Sequence, residues 1–429
     1  MEDIPKPWCC SSSSFSSGGG GRRRRTERRT SRPSKWSNPR RDILEIITSR
    51  FETRREILRL RAVCKSWRSK IPFPSNDSTL GESLKPPSPI FLSPKHGGHF
   101  TLKENTVYCL QPLRKIYYFW KTTSNWFVKI EEVDSHKVRL KEPLSTKKLG
   151  NIIGLPKTIN LVDFWVKKVA KEYFLKYVGL SQEENENGTT SEVNKSVSKE
   201  IKKVVVGENK DGEIVVMMLH FSGELKAWKM GEKRWANLVT EHEGLSKYQE
   251  IAFHKGNFYV LDSMGATSKV EYSSSLEVSK VAPPAFNYRV SHRFGPRKVY
   301  LVSSFGDLFM VKYIGGSVSE LPPLDVFKLD EEHGLWVAVQ DLEKDRVFFI
   351  GDGCSYSVSA KEFEGCKVNC VYFTDESDFY SGVEENYPGL NASLYDLVED
   401  VSRPLTSVVG YSRIFWPPPT WLNQTPSGK

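Results

Sequence analysis

The chain lacks most of the features that mark export, membrane insertion or catalysis. No apolar run comes near the roughly 20 residues that a helical membrane span needs, so a soluble protein is expected. The amino terminus, "MEDIPKPWCCSSSSFSSGGGG", begins acidic and has no apolar core of the kind a secretory signal carries. Cysteine is scarce and odd in number, 7 in 429 residues, which fits reduced thiols of cytosol or nucleus better than a disulfide framework. No Gly-x-Ser-x-Gly elbow, His-Glu-x-x-His pair or phosphate-binding loop occurs. The 8 histidines are scattered; His220, His254, His292 and His333 read as strand or turn residues without a paired carboxylate or nucleophile. Cys366 and Cys370 in "CKVNC", with Cys354 upstream, are poorly spaced for zinc and have no histidine pair, so they read as free cysteines in buried strands. Catalytic residues, metal and cofactor are therefore all expected to be none.

What is present is unevenly placed. The net charge is +10, but residues 1–41 carry 11 Lys/Arg against 3 Asp/Glu and residues 42–71 carry 8 against 4, so the remainder is close to neutral. Residues 1–35 combine a Ser/Gly run with "RRRRTERR" and hold almost no large apolar side chain; such a segment cannot offset the entropy of ordering, and a disordered tail is expected. Arg22, Arg23, Arg24, Arg25, Arg28 and Arg29 form a candidate import signal. The same arm admits a second reading, a nuclear nucleic-acid-associated protein that uses its basic residues on phosphates.

Residues 36–72 read as helical. Asn38 is the candidate N-cap, with Pro39 at the first helical position and Asp42 in the first turn. Ile43, Leu44, Ile46, Ile47 and Phe51 cover more than one face. Thr53 to Glu56 reads as a capping box opening a second helix, in which Leu60, Val63, Cys64 and Trp67 fall at i, i+3, i+4 and i+7. A bend at Arg61 to Ala62 divides this stretch. Without metal or disulfide, so few residues fall below the roughly 40 at which a domain holds itself together. Their apolar surface has to be covered, by the rest of the chain or by a partner protein.

A Pro/Ser-rich linker is expected at 73–89, and beyond it short β-type runs alternate with Gly, Asp and Asn. Residues 201–238 parse as four strands with turns at Asn209 to Gly212, Ser222-Gly223 and Gly231 to Lys233. The pattern recurs at "EIAFHKGNFYVLDSMG" and "RKVYLVSSFGDLFMVKYIGG", each followed by a further strand pair. Four-strand units repeating every 40 to 50 residues or so predict an all-β propeller over 90–422, with six or seven blades in about 330 residues. Residues 161–180 read as one helix or two strands, strands being favoured by their place in the series; 181–200 read as a disordered loop and 423–429 as a tail. Trp416 and Trp421 in "WPPPTW" read as a plug for the last blade or an aromatic rim patch.

"SNPRRDILEIITSRFETRREILRLRAVCKSWRSKIP", residues 37–72, resembles an F-box, most closely in "RLRAVCKSWRS"; Asn38 stands where a leucine usually precedes the proline. "GNFYVLDSMG", "VYLVSSFGDLFMV", "VFKLD" and "FWPPPTWL" resemble the plant F-box proteins of the KIB type, with a C-terminal propeller. The resemblance implies a small three-helix F-box followed by a propeller, in a substrate-recognition subunit of an SCF (Skp, cullin, F-box) ubiquitin ligase. It implies a Skp-type adaptor as partner, through it a cullin, and an unknown target protein on the propeller. Pro39, Ile43, Leu44, Ile47, Leu58, Leu60, Val63, Cys64 and Trp67 would then build the adaptor interface and its supporting core. No membrane partner is implied, nucleic acid is the lesser reading, and the location is nucleus and/or cytoplasm. A propeller enzyme acting through acidic residues around the central channel is the remaining alternative.

Overall fold

The computed structural model describes residues 36, 38–48, 57, 60–72, 86–87, 98–112, 125–134, 137–145, 164–179, 200–238, 247–286, 296–314, 324–363, 365–374, 392–408 and 414–415. The predicted tail at 1–35, the capping box, Leu58, His292, most of the linker, the loop at 181–199, Trp416, Trp421 and residues 423–429 lie outside the described residues. The chain divides into two compact units, residues 1–75 and 76–429.

In the first unit, helix α1 spans Arg41–Thr48 and helix α2 spans Lys65–Lys70, with residues 60–62 helical between them. Leu44, Trp67 and Ile71 form the buried core, with Ile47, Ile57, Leu60 and Cys64 against it. Two expectations are corrected. Asn38 does not cap α1, which begins two residues past Pro39. Its side-chain oxygen instead accepts hydrogen bonds from Ser66 Oγ at 2.7 Å and Lys70 Nζ at 2.6 Å, so tertiary contact wins over local capping. The bend falls at Val63 and Cys64, the latter extended at φ −162° and ψ 173°, and not at Arg61 to Ala62. This break cuts the helical stripe and turns Val63 outward.

The second unit is built from strands that pair antiparallel, with one parallel pair in the last group. The first group holds β1 (Gly98–Pro112), β2 (Trp126–Asp134), β3 (Lys137–Lys141) and β4 (Phe164–Gly179); the second holds β5 (Ile201–Glu208), β6 (Ile214–His220), β7 (Leu225–Lys229) and β8 (Ala236–Leu238). These form one sheet of order β3-β2-β1-β4-β5-β6-β7-β8, but among the described residues its halves are joined by the single Tyr173–Val204 pair. The third group is β9 (Tyr248–His254), β10 (Asn257–Asp262), β11 (Thr267–Tyr272) and β12 (Leu276–Ala282). The fourth is β13 (Pro296–Ser304), β14 (Asp307–Ile314), β15 (Leu324–Asp330) and β16 (Leu335–Ala338). The fifth is β17 (Arg346–Ile350), β18 (Tyr356–Ser359), β19 (Cys370–Thr374), β20 (Ala392–Asp396) and β21 (Val401–Pro404), in the order β18-β17-β19-β20-β21 with β17 and β19 parallel.

The predicted meander at 201–238 is present with its turns in place. The third and fourth groups each open on a two-residue hairpin turn, Lys255-Gly256 and Phe305-Gly306, whose φ values of 47° and 77°, and 46° and 84°, are those of the turn that suits twisted strands. Residues 164–179 form one strand, where two were favoured. The register against β1 slips between Val107 and Tyr108, and the bulge at Val169 reverses which residues face inward, which erases any single period.

Inner strands touch in a cycle: β4 meets β5, β5 meets β9, β9 meets β13, β13 meets β18, and β18 meets β4. Between groups lie apolar layers, and alternate residues of one strand enter different layers. Val216 and Met218 pack with Phe100, Leu102 and Leu175, while Val215, Met217 and Leu219 pack with Ile251, Phe258 and Val260. Leu301 and Met310 join Tyr259 and Leu261; Val302 and Val311 join Phe348 and Ile350; Val347 and Phe349 join Val107, Cys109 and Phe127. The last layer includes Ile414 and Phe415, whose carbonyls accept from Phe127 N and Trp126 Nε1, both at 2.8 Å, so the end of the described chain returns to the first group. Among the described residues there are five such groups, against six or seven expected, because long strands such as β1 and β4 and their connections take up more chain than the sequence arithmetic assigned.

Candidate functional site

The helical unit sorts the nine residues implied as adaptor-binding. On α1, Ile43 points outward at 39% exposed while its neighbour Leu44 is buried at 1%. Pro39 is buried, and Ile47, Leu60 and Cys64 are partly buried. Val63 stands 59% exposed and Trp67 is core, its indole N–H donating to the Trp36 carbonyl at 2.8 Å. The structure thus brings Leu44 and Trp67 together and leaves Ile43 and Val63 facing out; Leu58 and Arg22 to Arg29 lie outside the described residues. Two residues were missed. Ile46, one turn beyond Ile43, is 60% exposed, and its i+3 spacing from Ile43 was the available signal. Ile71 is core, one helical turn past Trp67, with its N–H on the Trp67 carbonyl at 2.9 Å. The polar side of α1 carries exposed ion pairs, Arg40–Asp42 at 2.8 Å and Arg41–Glu45 at 2.9 Å, which add little to stability and leave apolar area as the distinctive feature.

Several charged groups buried in the propeller are paired. Glu172 on β4 meets Lys129 at 3.2 Å and accepts from Asn105 Nδ2 at 2.6 Å, while Lys129 also donates to the Ser145 carbonyl at 2.7 Å. Glu250 is paired with Lys203; burial pushes its carboxyl up, against the pull of that ammonium. Three histidines that read as unpaired have partners, among them His220, whose Nδ1 lies 2.6 Å from Ser222 Oγ. His254 Nδ1 lies 2.8 Å from Ser303 Oγ and its Nε2 lies 3.5 Å from Glu331, with burial holding the ring below its usual pKa. His333 Nδ1 lies 2.8 Å from Asp330. Strand pairing and hairpin closure bring these groups together across gaps that local sequence does not show.

Cys354, Cys366 and Cys370 are buried, with Cys370 in β19 and the other two in turns rather than strands. Burial raises the Cys354 thiol to about 11 and the Cys109 and Cys370 thiols to about 12, leaving them protonated and poor nucleophiles near neutral pH. Among the described residues no cluster of three or more His, Cys, Asp or Glu suits a metal ion, and no helix is long and apolar enough to cross a membrane.

Short antiparallel sheets standing face to face around a closed cycle of inner strands make the second unit a β-propeller. The chain belongs to the KIB1-4 β-propeller family, whose model matches residues 99–396. It is similar along most of its length to plant relatives. F-box protein SKIP23 of Arabidopsis thaliana is 25% identical over 422 residues, covering 90% of this chain and 95% of the relative. F-box protein At2g17036 of the same plant is 25% identical over 420 residues, covering 90% and 94%. Putative F-box protein At5g60060 is 29% identical over 345 residues, covering 76% and 84%.

Proposed function

We propose that this chain is a substrate-recognition subunit of an SCF-type ubiquitin ligase, its helical unit docking on a Skp-type adaptor, and through it a cullin, while the propeller holds a target protein. The observation that carries the reading is the apolar surface of the helical unit: Ile43, Ile46 and Val63 are exposed on a body whose buried hydrophobic core, among the described residues, is Leu44, Trp67 and Ile71. A unit this small gains most of its cover from association. The relatives, named F-box proteins, support the same role. Such a subunit performs no bond chemistry itself. It raises the effective concentration of target beside a charged conjugating enzyme. Nucleus and/or cytoplasm is the proposed location, with Arg22 to Arg29 as the import signal.

The test is co-purification of the full chain with a Skp-type adaptor. Ile43→Glu with Val63→Glu is expected to abolish the complex and leave the propeller's melting transition unchanged. Full retention of the adaptor by that double variant sinks the proposal.

A further inference from the structure

Three consecutive inner strands of the propeller begin with the same irregularity. The register of β5 against β6 slips between Ile201 and Lys203, that of β9 against β10 skips Gln249 between Tyr248 and Glu250, and that of β13 against β14 slips between Pro296 and Lys298. Each slip makes the second residue of its strand a bulge, a device that re-aims a side chain out of the alternation of the sheet. The starts of these strands lie together. Lys202 Nζ on β5 donates to the Gln249 carbonyl on β9 at 2.6 Å, and Lys203, one position on, is paired with Glu250. Asp352, in the turn before β18, accepts from Lys298 Nζ on β13 at 3.0 Å and from the Tyr300 hydroxyl at 3.3 Å. One end of the cycle of inner strands is thus rimmed by Lys202, Gln249, Lys298 and Asp352.

Lys202 is the odd member of this rim. It is partly buried, and its ammonium bonds only neutral oxygens, the carbonyl and the side-chain Oε1 of Gln249 at 2.6 and 3.3 Å. Among the described residues no carboxylate pairs with it. The acids whose charge it feels already have lysines, Glu250 with Lys203 and Asp352 with Lys298, and Glu200, just before β5, faces His220 at 3.9 Å. Burial lowers the Lys202 pKa; Glu250 and Asp352 pull the other way, and the Lys203 and Lys298 ammoniums add to the lowering. An ammonium drawn out of water without a counter-ion is costly, and an ammonium has three donors, so Lys202 keeps both a charge and an N–H for a group that the chain does not supply.

The charge of the rim selects its partner. Lys202 and Lys298 share a single carboxylate, Asp352, so the rim is positive on balance and complements an acid. Its groups are spread over three neighbouring strand groups and a turn of a fourth, and the Lys298 and Asp352 side chains are 37% and 34% exposed. That is an open surface, of the width a chain crosses, rather than an enclosed site for a small ion. We infer that this end of the ring takes an acidic segment of the target protein, with an Asp or Glu carboxylate seated on Lys202 Nζ and flanked by Lys298. The inference rests on the reading that the propeller holds the target, and it names the face and the chemistry recognised there.

The test is titration calorimetry of the full chain with an end-blocked hexaglutamate peptide, with hexalysine and with inorganic phosphate, at about 50 mM salt, where screening is modest. The basic residues near the amino terminus attract the same peptide, so each titration is repeated with Arg22→Gln and the same change at Arg23, Arg24, Arg25, Arg28 and Arg29. Lys202→Gln keeps a donor for the Gln249 carbonyl; it is expected to leave the melting transition in place and to weaken hexaglutamate about tenfold in both backgrounds. Lys202→Arg, which keeps the charge, is expected to stay within about threefold. Asp352→Asn, which removes the competing carboxylate, is expected to tighten binding about threefold, an effect that damage to the fold would not produce. An unchanged affinity in Lys202→Gln, hexalysine binding as tightly as hexaglutamate, or inorganic phosphate binding as tightly as the peptide overturns the inference. Co-purification with the adaptor is read on the same preparations: a chain that holds the adaptor and not hexaglutamate defeats this inference alone, and one that holds hexaglutamate and not the adaptor defeats the docking reading alone.

Discussion

Two adjacent pairs of residues show how differently the units bury their apolar groups. Phe348 and Phe349, neighbours in one strand of the propeller, are both fully buried, in layers on opposite faces of their sheet. Ile43 and Leu44, neighbours in one helix, split into one outward and one inward residue. A strand in the middle of a sheet held between two others buries side chains on both of its faces, whereas a helix covered on one side leaves its other side to water. In the propeller the strands are covered on both faces by neighbouring layers, although Trp165, Phe221 and Val398 stay more than half exposed on its surface; in the helical unit Ile43, Ile46 and Val63 face out, and the proposed adaptor is what would cover them.

The sharpest way to break this contrast is inside the propeller. Phe349 stacks on Tyr372 at 4.8 Å, Tyr356 at 5.1 Å and Phe127 at 5.2 Å, where the last group meets the first. Phe349→Ala is expected to cost about 3–5 kcal/mol by chemical denaturation. A loss below about 1 kcal/mol would show that this layer does not close the ring. Next in size is a buried charge. Glu250→Ala strands Lys203 and is expected to cost about 3 kcal/mol, whereas replacing both, Lys203→Met with Glu250→Leu, recovers most of it; equal losses for the two variants would contradict the pairing.

Acid should act on the propeller more gently. Burial pushes the Asp396 carboxyl up, but the Lys367 ammonium and the backbone N–H groups of Glu399 and Val398 together outweigh it, so its pKa sits below the ordinary value. A depressed carboxyl contributes stability that is full above its unfolded value of about 4 and is lost as pH falls through the folded one. Glu250 works in the opposite sense, since its raised carboxyl favours the folded state below its unfolded value and loses that contribution as pH rises. Unfolding measured from pH 7 to pH 2 should therefore show a shallower acid limb in Asp396→Asn, and an unaltered limb would discount the Lys367 pair.

Much of the propeller was readable because its apolar runs are continuous. "VVMML", "FYVL" and "LFMV", bounded by turn residues, could be little else than strands buried on both faces. The group count was not readable, since it depends on connection lengths and on the Val169 bulge. The long-range pairs escaped for a related reason: His254 and Ser303 meet only once β9 and β13 are side by side. In the helical unit the F-box resemblance put Leu44 and Trp67 in the interface or its core, but the spacing of Leu60, Val63, Cys64 and Trp67 made a single apolar stripe, with the bend expected earlier, at Arg61 to Ala62. The break at Val63 and Cys64 moved one member of that stripe into solvent, and Asn38 gave up its cap for contacts across 28 and 32 residues of chain.

The smallest expected effect bears most directly on function. Ile46 is 60% exposed on α1, so Ile46→Ser should change the stability of the isolated chain by no more than about 0.5 kcal/mol, because little apolar area leaves water at that position. If the adaptor covers this face, the same substitution weakens the complex by about 1–2 kcal/mol, the transfer free energy of the buried side chain. Both quantities can be read on one preparation, by denaturation of the free chain and by calorimetric titration with adaptor. A stability loss above about 1 kcal/mol in the free chain would mean that Ile46 is already covered by its own polypeptide, and the proposed docking of an adaptor on this face of α1 would fail at that residue.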